Sequence, residues 1–507
     1  MIIDAKTYKD KVRGCWLGKN IGGTLGAPFE CIRGVYDIEY YTQDLKDGAL
    51  PNDDLDLQLV WLNAAEKYGA GVDSKILGEY WLTYVIANWS EYGAGKNNMQ
   101  NGILPPLSGW YNNHNRNSCG AFIRSEIWAC LAPGHPEIAV KYAFEDASVD
   151  HAGEGVYGEI FCAALQSAAF SESDRIKLIN IGLSYIPEKC GIAKAVKTVI
   201  DCYDSGADWK QARKKVLQEV PCSFGMYGGY IDQEPEEDVP MGEPGYDAPA
   251  NVGIMVLGWL YGENDFGKSL CIAAGCCEDG DCTAATLGAI LGIIHGADKL
   301  PEKWLKPIGD GIKTVSLDTT GGLAVPKTIT ELSRRVCALM PVFMGSFCDT
   351  MNDSGTTITL YEGDGLYNAP VKFGAFSHID FKERLFGEPM GVRASNVLAD
   401  ITVSFVDGIN IRSEQELRLN IKIKNNIRKQ QWLKFRWFMP EEWSVSTAKE
   451  FSLNLDQPHG GFGLAEFDAV ITPTDISKAK YDIVLEAASE GKLSKLYIPI
   501  TLINSAV

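Results

Sequence analysis

The sequence predicts two structural classes in one chain: a helical domain first and a β-sandwich after it. Before about Met344, long apolar runs rich in Ala, Gly, Leu and Ile alternate with loops, and β-branched alternation is scarce. Beyond Ser395 the apolar period becomes two, with Leu417, Leu419, Ile421 and Ile423 interleaved with Arg418, Asn420, Lys422 and Lys424. At 507 residues the chain exceeds one ordinary core, so a division into two or three domains is expected.

The elements follow in order. Gly14, Gly18, Gly22 and Gly26 recur every four residues and give one helix a face without side chains, until Pro28 ends it. Glycine costs roughly 1 kcal/mol at each helical position, so four in register imply either close helix packing or close approach of a ligand. Leu55–Ala65, Pro136–Ala147, Ile160–Phe170, Ile192–Tyr203, Val252–Tyr261 and Ala284–His295 read as further helices. Residues 346–394, rich in Gly, Asp and Thr, read as an irregular connector between a domain at 1–345 and another at 395–507. In the last, Ile401–Phe405, Leu417–Lys424 and Tyr481–Leu485 alternate as strands, separated by Asp407-Gly408, Asn425-Asn426 and Gly460-Gly461. Short strands at that spacing suggest a sandwich of about a hundred residues.

Composition narrows the function. Apolar content of 46% and charged content of 22% are those of a globular protein. A net charge of −19 argues against a nucleic-acid partner, which demands a basic face. No positive-then-apolar leader opens the chain and no uncharged run reaches membrane-spanning length. The 14 cysteines lack CxxC pairs, and buried thiols in a reducing compartment explain them better than disulfides or zinc. Together these features point to a cytoplasmic protein that does not engage membranes.

Chemistry concentrates in two acidic pairs. Asp53-Asp54 precedes one apolar helix and Asp279-Gly-Asp281 precedes another. Aspartates cap helix starts and complement the dipole, but four carboxylates at two helix mouths also suit hard, oxygen-loving cations. Glu30 lies just past the glycine helix. His151 follows the Pro136–Ala147 helix and reads either as a C-terminal cap or as a cleft residue. The aromatic residues Trp81, Tyr84, Trp89, Tyr92, Trp110 and Tyr111 fit a stacking wall or ordinary packing. The irregular stretch from Gly225 to Pro249 has the length of an active-site cover, which makes Tyr227, Tyr230 and Asn251 candidate substrate contacts.

Gly14–Glu30, Asn52-Asp53-Asp54, Gly120–Arg124, Asp146–His151 and Asp279–Ala285 occur in an order and spacing that resemble the ADP-ribosylglycohydrolases of the dinitrogenase-reductase-activating type, over roughly residues 8–345. That resemblance implies an all-α orthogonal helical bundle with a two-magnesium centre, Mn²⁺ being an alternative ion. It also implies cleavage of the glycosidic bond of ADP-ribose on a protein side chain or small molecule. Carried over residue by residue, it makes Asp53, Asp54, Asp279 and Asp281 metal ligands, with Asn52 and Thr283 as further ligands. Glu30 becomes the proton-transfer residue, with Asp54 next in line. Gly22, Gly23 and Gly120 would let the backbone approach substrate, and Arg124 would bind a phosphate or carboxylate or else buttress the acidic cluster. The chain departs from the pattern at Gly23, where the family has aspartate, at Leu55, and at Cys282, where a ligand threonine is usual.

Three readings follow. The first is a magnesium-dependent hydrolase of ADP-ribosyl or related ribosyl compounds. The second is a glycosidase of the same fold acting on another carbohydrate or nucleoside, and the third a non-catalytic structural relative. Retention of Glu30 and four mutually repelling aspartates argues against the third.

Overall fold

The computed structural model describes residues 1–220, 239, 245–352, 355–368, 371–373, 377–379, 391–458 and 463–504. Its contacts divide the chain into two compact units, one of residues 1–100 and 108–369 and one of residues 101–107 and 370–507.

The first unit is helical, and its centre is a pair of antiparallel helices, Ala5–Gly26 and Gly280–His295. The four-residue glycine repeat meets a second small-residue repeat in strict register. A methyl group on Gly14 would overlap the Gly292 carbonyl, one on Gly18 that of Gly288, one on Gly22 that of Ala284 and one on Gly26 that of Gly280. Of the two readings of the repeat, close helix packing is the one realised. The backbones touch because neither face carries a side chain, and the lost helix propensity is offset by dense packing.

Helices Gly191–Asp204 and Ala248–Gly262 contain the segments read from the sequence, Glu154–Ala168 stops two residues short of the expected Phe170, and Pro136–Ala147 has the bounds expected. Asp53–Tyr68 begins with Asn52, whose side chain caps the Asp54 N–H. Two of the six aromatic residues, Trp81 and Tyr92, are core packing: Trp61 stacks on Trp81, and Tyr92 meets Trp81 edge-on, whereas Trp89 is exposed and Tyr84, Trp110 and Tyr111 are half-buried. Within 346–394 the structure holds strands: Cys348–Asn352 and Gly355–Thr359 join Ile2–Asp4 in a three-stranded sheet with Gly355–Thr359 in the middle.

The second unit holds two five-stranded sheets. Strand Leu417–Asn425 lies between Ala399–Phe405 and Leu464–Thr472, and buries Leu417, Leu419, Ile421 and Ile423 as the alternation requires. Strand Gln431–Phe438 lies between Glu450–Leu455 and Lys480–Ser489 in the other sheet. Phe435 of one sheet meets Phe467 of the other edge-on, closing the sandwich core. Of the expected turns, Gly460-Gly461 lies outside the described residues. Among the described residues no helix is long and apolar enough to cross a membrane.

Candidate metal centre and active site

The register of the central helix pair positions the acidic residues. Because Gly26 lies against Gly280, the chain leaving the first helix runs past the start of the second. Glu30–Ile32 then pairs antiparallel with Glu278–Asp279, setting Glu30 opposite Asp279 and Ile32 opposite Glu278. Cys31, Cys277 and Glu278 take positive φ of 57°, 59° and 66°, a region that side chains other than glycine's rarely adopt. Backbone strain of this kind concentrates at functional sites, and here it brackets both carboxylates.

Carboxylate oxygens of Glu30, Asp279 and Asp281 lie within 4.8 Å of one another. Asp54, Asp281 and Cys282 form a second group of the same span, and Cys119, Asp279 and Cys282 a third. Asp279 and Asp281 are buried, and the Oδ1 atom of each has no hydrogen-bond partner among the described residues. Asp279 is held from behind, its N–H donating to Asn251 Oδ1 at 3.2 Å. Burial first, and then the charges of Asp281 and Glu30, pushes the Asp279 carboxyl well above the usual range. Burial, Glu30 and Asp54 do the same to Asp281. Glu30 keeps an exposed face, and its carboxyl is raised by desolvation and by Asp54.

Asp54 is less free than the sequence suggests. Its Oδ2 lies 3.2 Å from the ammonium of Lys19, which also pairs with Glu126 at 3.1 Å, all three side chains being buried. Burial alone would discharge Lys19, but the two carboxylates hold it protonated. Asp54 therefore has a resident counter-charge and makes a poor general base. Asp53 accepts from the Tyr92 hydroxyl at 3.0 Å and is pushed up to about 8 by desolvation, then by Asp54 and Glu30.

Several expected contacts are instead structural. Gly22 is spent on the helix contact with Ala284. A Cβ on Gly23 would strike the Asn52 amide, so this glycine makes room for Asn52. Asn52 caps its helix with its oxygen at 2.7 Å and turns its amide nitrogen toward Asp281 at 3.5 Å, facing the centre as a donor and not as a ligand. Thr283 Oγ1 donates to the Gly280 carbonyl at 3.2 Å, leaving Cys282 as the side chain that reaches the cluster. Gly120 faces Glu91. Arg124 is fully buried, paired with Asp146 at 2.8 Å and Asp150 at 2.6 Å and lying over Trp81, so no face remains for a phosphate. His151 is buried too, with Nδ1 2.8 Å from Asp150 and Nε2 3.0 Å from Ser118 Oγ. Asn251 is buried and positions Asp279. Tyr227 and Tyr230 lie outside the described residues.

The contribution missed from the sequence is Cys119, whose Sγ lies 2.6 Å from Asp279 Oδ2. It is held by the backbone of the Tyr246 segment, through Cys119 N–H to the Tyr246 carbonyl and a bridge between Ser118 and Asp247. Every cysteine among the described residues is a free thiol.

Two helix mouths of a helical unit thus bring a cluster of carboxylates together. The ADP-ribosylglycohydrolase family model matches residues 4–340, and the chain belongs to that family of glycosyl hydrolases. One solved structure, described as an ADP-ribosylglycohydrolase-related protein complex, aligns with a TM-score of 0.43 at 18% identity over 67% of this chain and 100% of that chain. No curated protein matches the sequence.

Proposed function

We propose that this chain is a divalent-cation-dependent hydrolase that releases an ADP-ribosyl or related ribosyl group from a protein side chain or small molecule. The observation that carries this reading is the convergence of Glu30, Asp279 and Asp281 within 4.8 Å, with two buried carboxylate oxygens unpartnered among the described residues. Such an all-oxygen group fits Mg²⁺ or Mn²⁺, and without a cation the like charges repel. A cation bound there supplies Lewis-acid polarisation and a hold on vicinal sugar hydroxyls.

The chain's own residues divide the remaining work. Glu30, accessible and with a raised pKa, moves the proton between water and the leaving group. Asp279 and Asp281 hold the cation, while Asn251 and the Glu30–Ile32 strand fix Asp279 from both sides. Lys19 balances the charge of Asp54, and Tyr92 orients Asp53. Chemistry resides in the helical unit, with the sandwich of the second unit as an accessory. The second position of the expected two-magnesium centre is not all-oxygen, because Cys282 stands in it.

One observation favours the alternative of a non-ADP-ribose carbohydrate or nucleoside: Arg124, for which phosphate binding was one of the readings open from the sequence, is buried and paired with Asp146 and Asp150. Glu30→Gln tests the central role. Turnover should fall by roughly 10²–10⁴, the usual worth of one acid–base group, with the fold retained and divalent binding, held by Asp279 and Asp281, weakened far less than in Asp281→Asn. Full activity of this variant would assign proton transfer elsewhere.

A further inference from the structure

We infer that the Cys119–Asp279–Cys282 group is a thiolate-bearing cation position, and that this enzyme binds a thiophilic divalent ion of the zinc class there in preference to magnesium. The inference rests on the divalent-dependent reading of the same centre and adds the identity of the ion. One ligand atom from each of the three residues lies within 4.8 Å of the other two, and all three residues are buried. Ligand distances of about 2.0–2.3 Å around Zn²⁺ place neighbouring donors roughly 3.3–3.8 Å apart, so Cys119 Sγ and Asp279 Oδ2, now 2.6 Å apart with the thiol donating, must part by about 1 Å as the thiol proton leaves.

A second observation points the same way. Asp279 is 1% exposed, and its Oδ1 has no hydrogen-bond partner among the described residues, although such an oxygen is costly to bury unpaired. The alternatives for a hard ion at this position are turned away: Thr283 Oγ1 is engaged with the Gly280 carbonyl, and the Asn52 oxygen caps its helix. What remains is two sulfurs and a carboxylate, a donor set that selects zinc-class ions over magnesium. Three protein ligands also leave a fourth position open, as in hydrolytic zinc sites.

Cys282 and Asp281 further belong to the Asp54 group, and Asp279 and Asp281 to the Glu30 group. The sulfur position thus shares Asp279 with the all-oxygen position and makes the centre a mixed pair, one soft and one hard. On binding, each thiol gives up its proton to solvent and its sulfur lone pair to the ion, with no change of oxidation state.

The test uses the full-length protein, freed of metal and fully reduced, then titrated with Co²⁺ and Zn²⁺. Co²⁺ should produce a thiolate-to-cobalt charge-transfer absorption in the near ultraviolet, which one equivalent of Zn²⁺ abolishes and a large excess of Mg²⁺ does not. Cys119→Ser and Cys282→Ser should each reduce that absorption sharply and weaken Zn²⁺ binding by roughly 10–100-fold or more. Cys162→Ser, at a buried thiol inside the Glu154–Ala168 helix, should leave both unchanged. Circular dichroism of each variant separates lost ligation from lost fold, and Cys282→Thr supplies a conservative oxygen donor whose Mg²⁺ affinity should rise as its Zn²⁺ affinity falls. Absence of the sulfur band in folded, reduced protein, or a band that survives both cysteine substitutions, overturns the inference. A protein that gives the cobalt band yet cleaves no ribosyl bond keeps the sulfur site and removes the hydrolase reading, so the two failures are distinct.

Discussion

Four acidic side chains, Glu30, Asp53, Asp279 and Asp281, hold their protons more tightly in the fold than in an unfolded chain. A raised carboxyl pKa contributes stability that is complete below the unfolded value, near pH 4, and is lost as pH climbs through the folded value, about 8 for Asp53. The metal-free protein should therefore melt at progressively lower temperature from pH 5 to pH 8, and Asp53→Asn should flatten the slope. Added divalent cation should raise the midpoint more at pH 8 than at pH 5, because it replaces the missing protons. Thermal melts across that window check the point, and a midpoint that rises with pH in chelated protein would contradict it. At this scale the sequence was legible where chemistry is local. Asp279 and Asp281 stand together before an apolar helix, and Glu30 follows the glycine repeat. Cys119 was not legible, because its meeting with Asp279 spans 160 residues and no short motif marks it. Arg124 and His151 each carried two readings for a similar reason: their carboxylate partners and their burial are tertiary features that no local pattern shows.

The element that governs the site is the glycine-faced helix pair. Every added carbon on Gly18 or Gly22 must push apart two backbones in contact, and the same shift would separate Glu30 from Asp279. Alanine is the better helix former by roughly 1 kcal/mol, so propensity alone predicts that Gly18→Ala stabilises. Overpacking predicts the opposite, a loss of about 1–3 kcal/mol or more, and at a backbone-to-backbone contact overpacking wins. Gly71→Ala, where an added carbon meets nothing within 4 Å, serves as the control and should change little. Urea unfolding of the two variants decides, and a stabilised Gly18→Ala would show that the helices are not in contact. The spacing of glycines revealed that something approaches this face, but not what. The partner repeat at Gly280, Ala284, Gly288 and Gly292 supplies the answer, and only the antiparallel register makes the two match. Asn52 shows the same limit: its capping role is a local signal, whereas its fit against Gly23 is a tertiary one.

At the scale of the molecule, the change of apolar period separates a helical unit from a sandwich because helix and strand bury side chains at different spacings. The alternating burial of Leu417 through Ile423 follows from that period alone. The strands Cys348–Asn352 and Gly355–Thr359 were hidden because short segments rich in Gly, Asp and Thr read as loop, and their pairing with Ile2–Asp4 is non-local. Every residue of the candidate centre lies in the helical unit, which is also the part the family model covers. In the proposed function, divalent cations at the Glu30–Asp279–Asp281 centre enable hydrolysis of a ribosyl bond. The most direct measurement follows release of ADP-ribose from an ADP-ribosylated peptide, beside a plain ribosyl glycoside, by chelated protein before and after Mg²⁺, Mn²⁺ or Zn²⁺ is restored. Chelated protein should release nothing, at least one of these ions should restore release, and Asp281→Asn should not recover at the same ion concentration. Undiminished hydrolysis by chelated protein, or full recovery in Asp281→Asn, would rule out a cation at this centre as the source of activity.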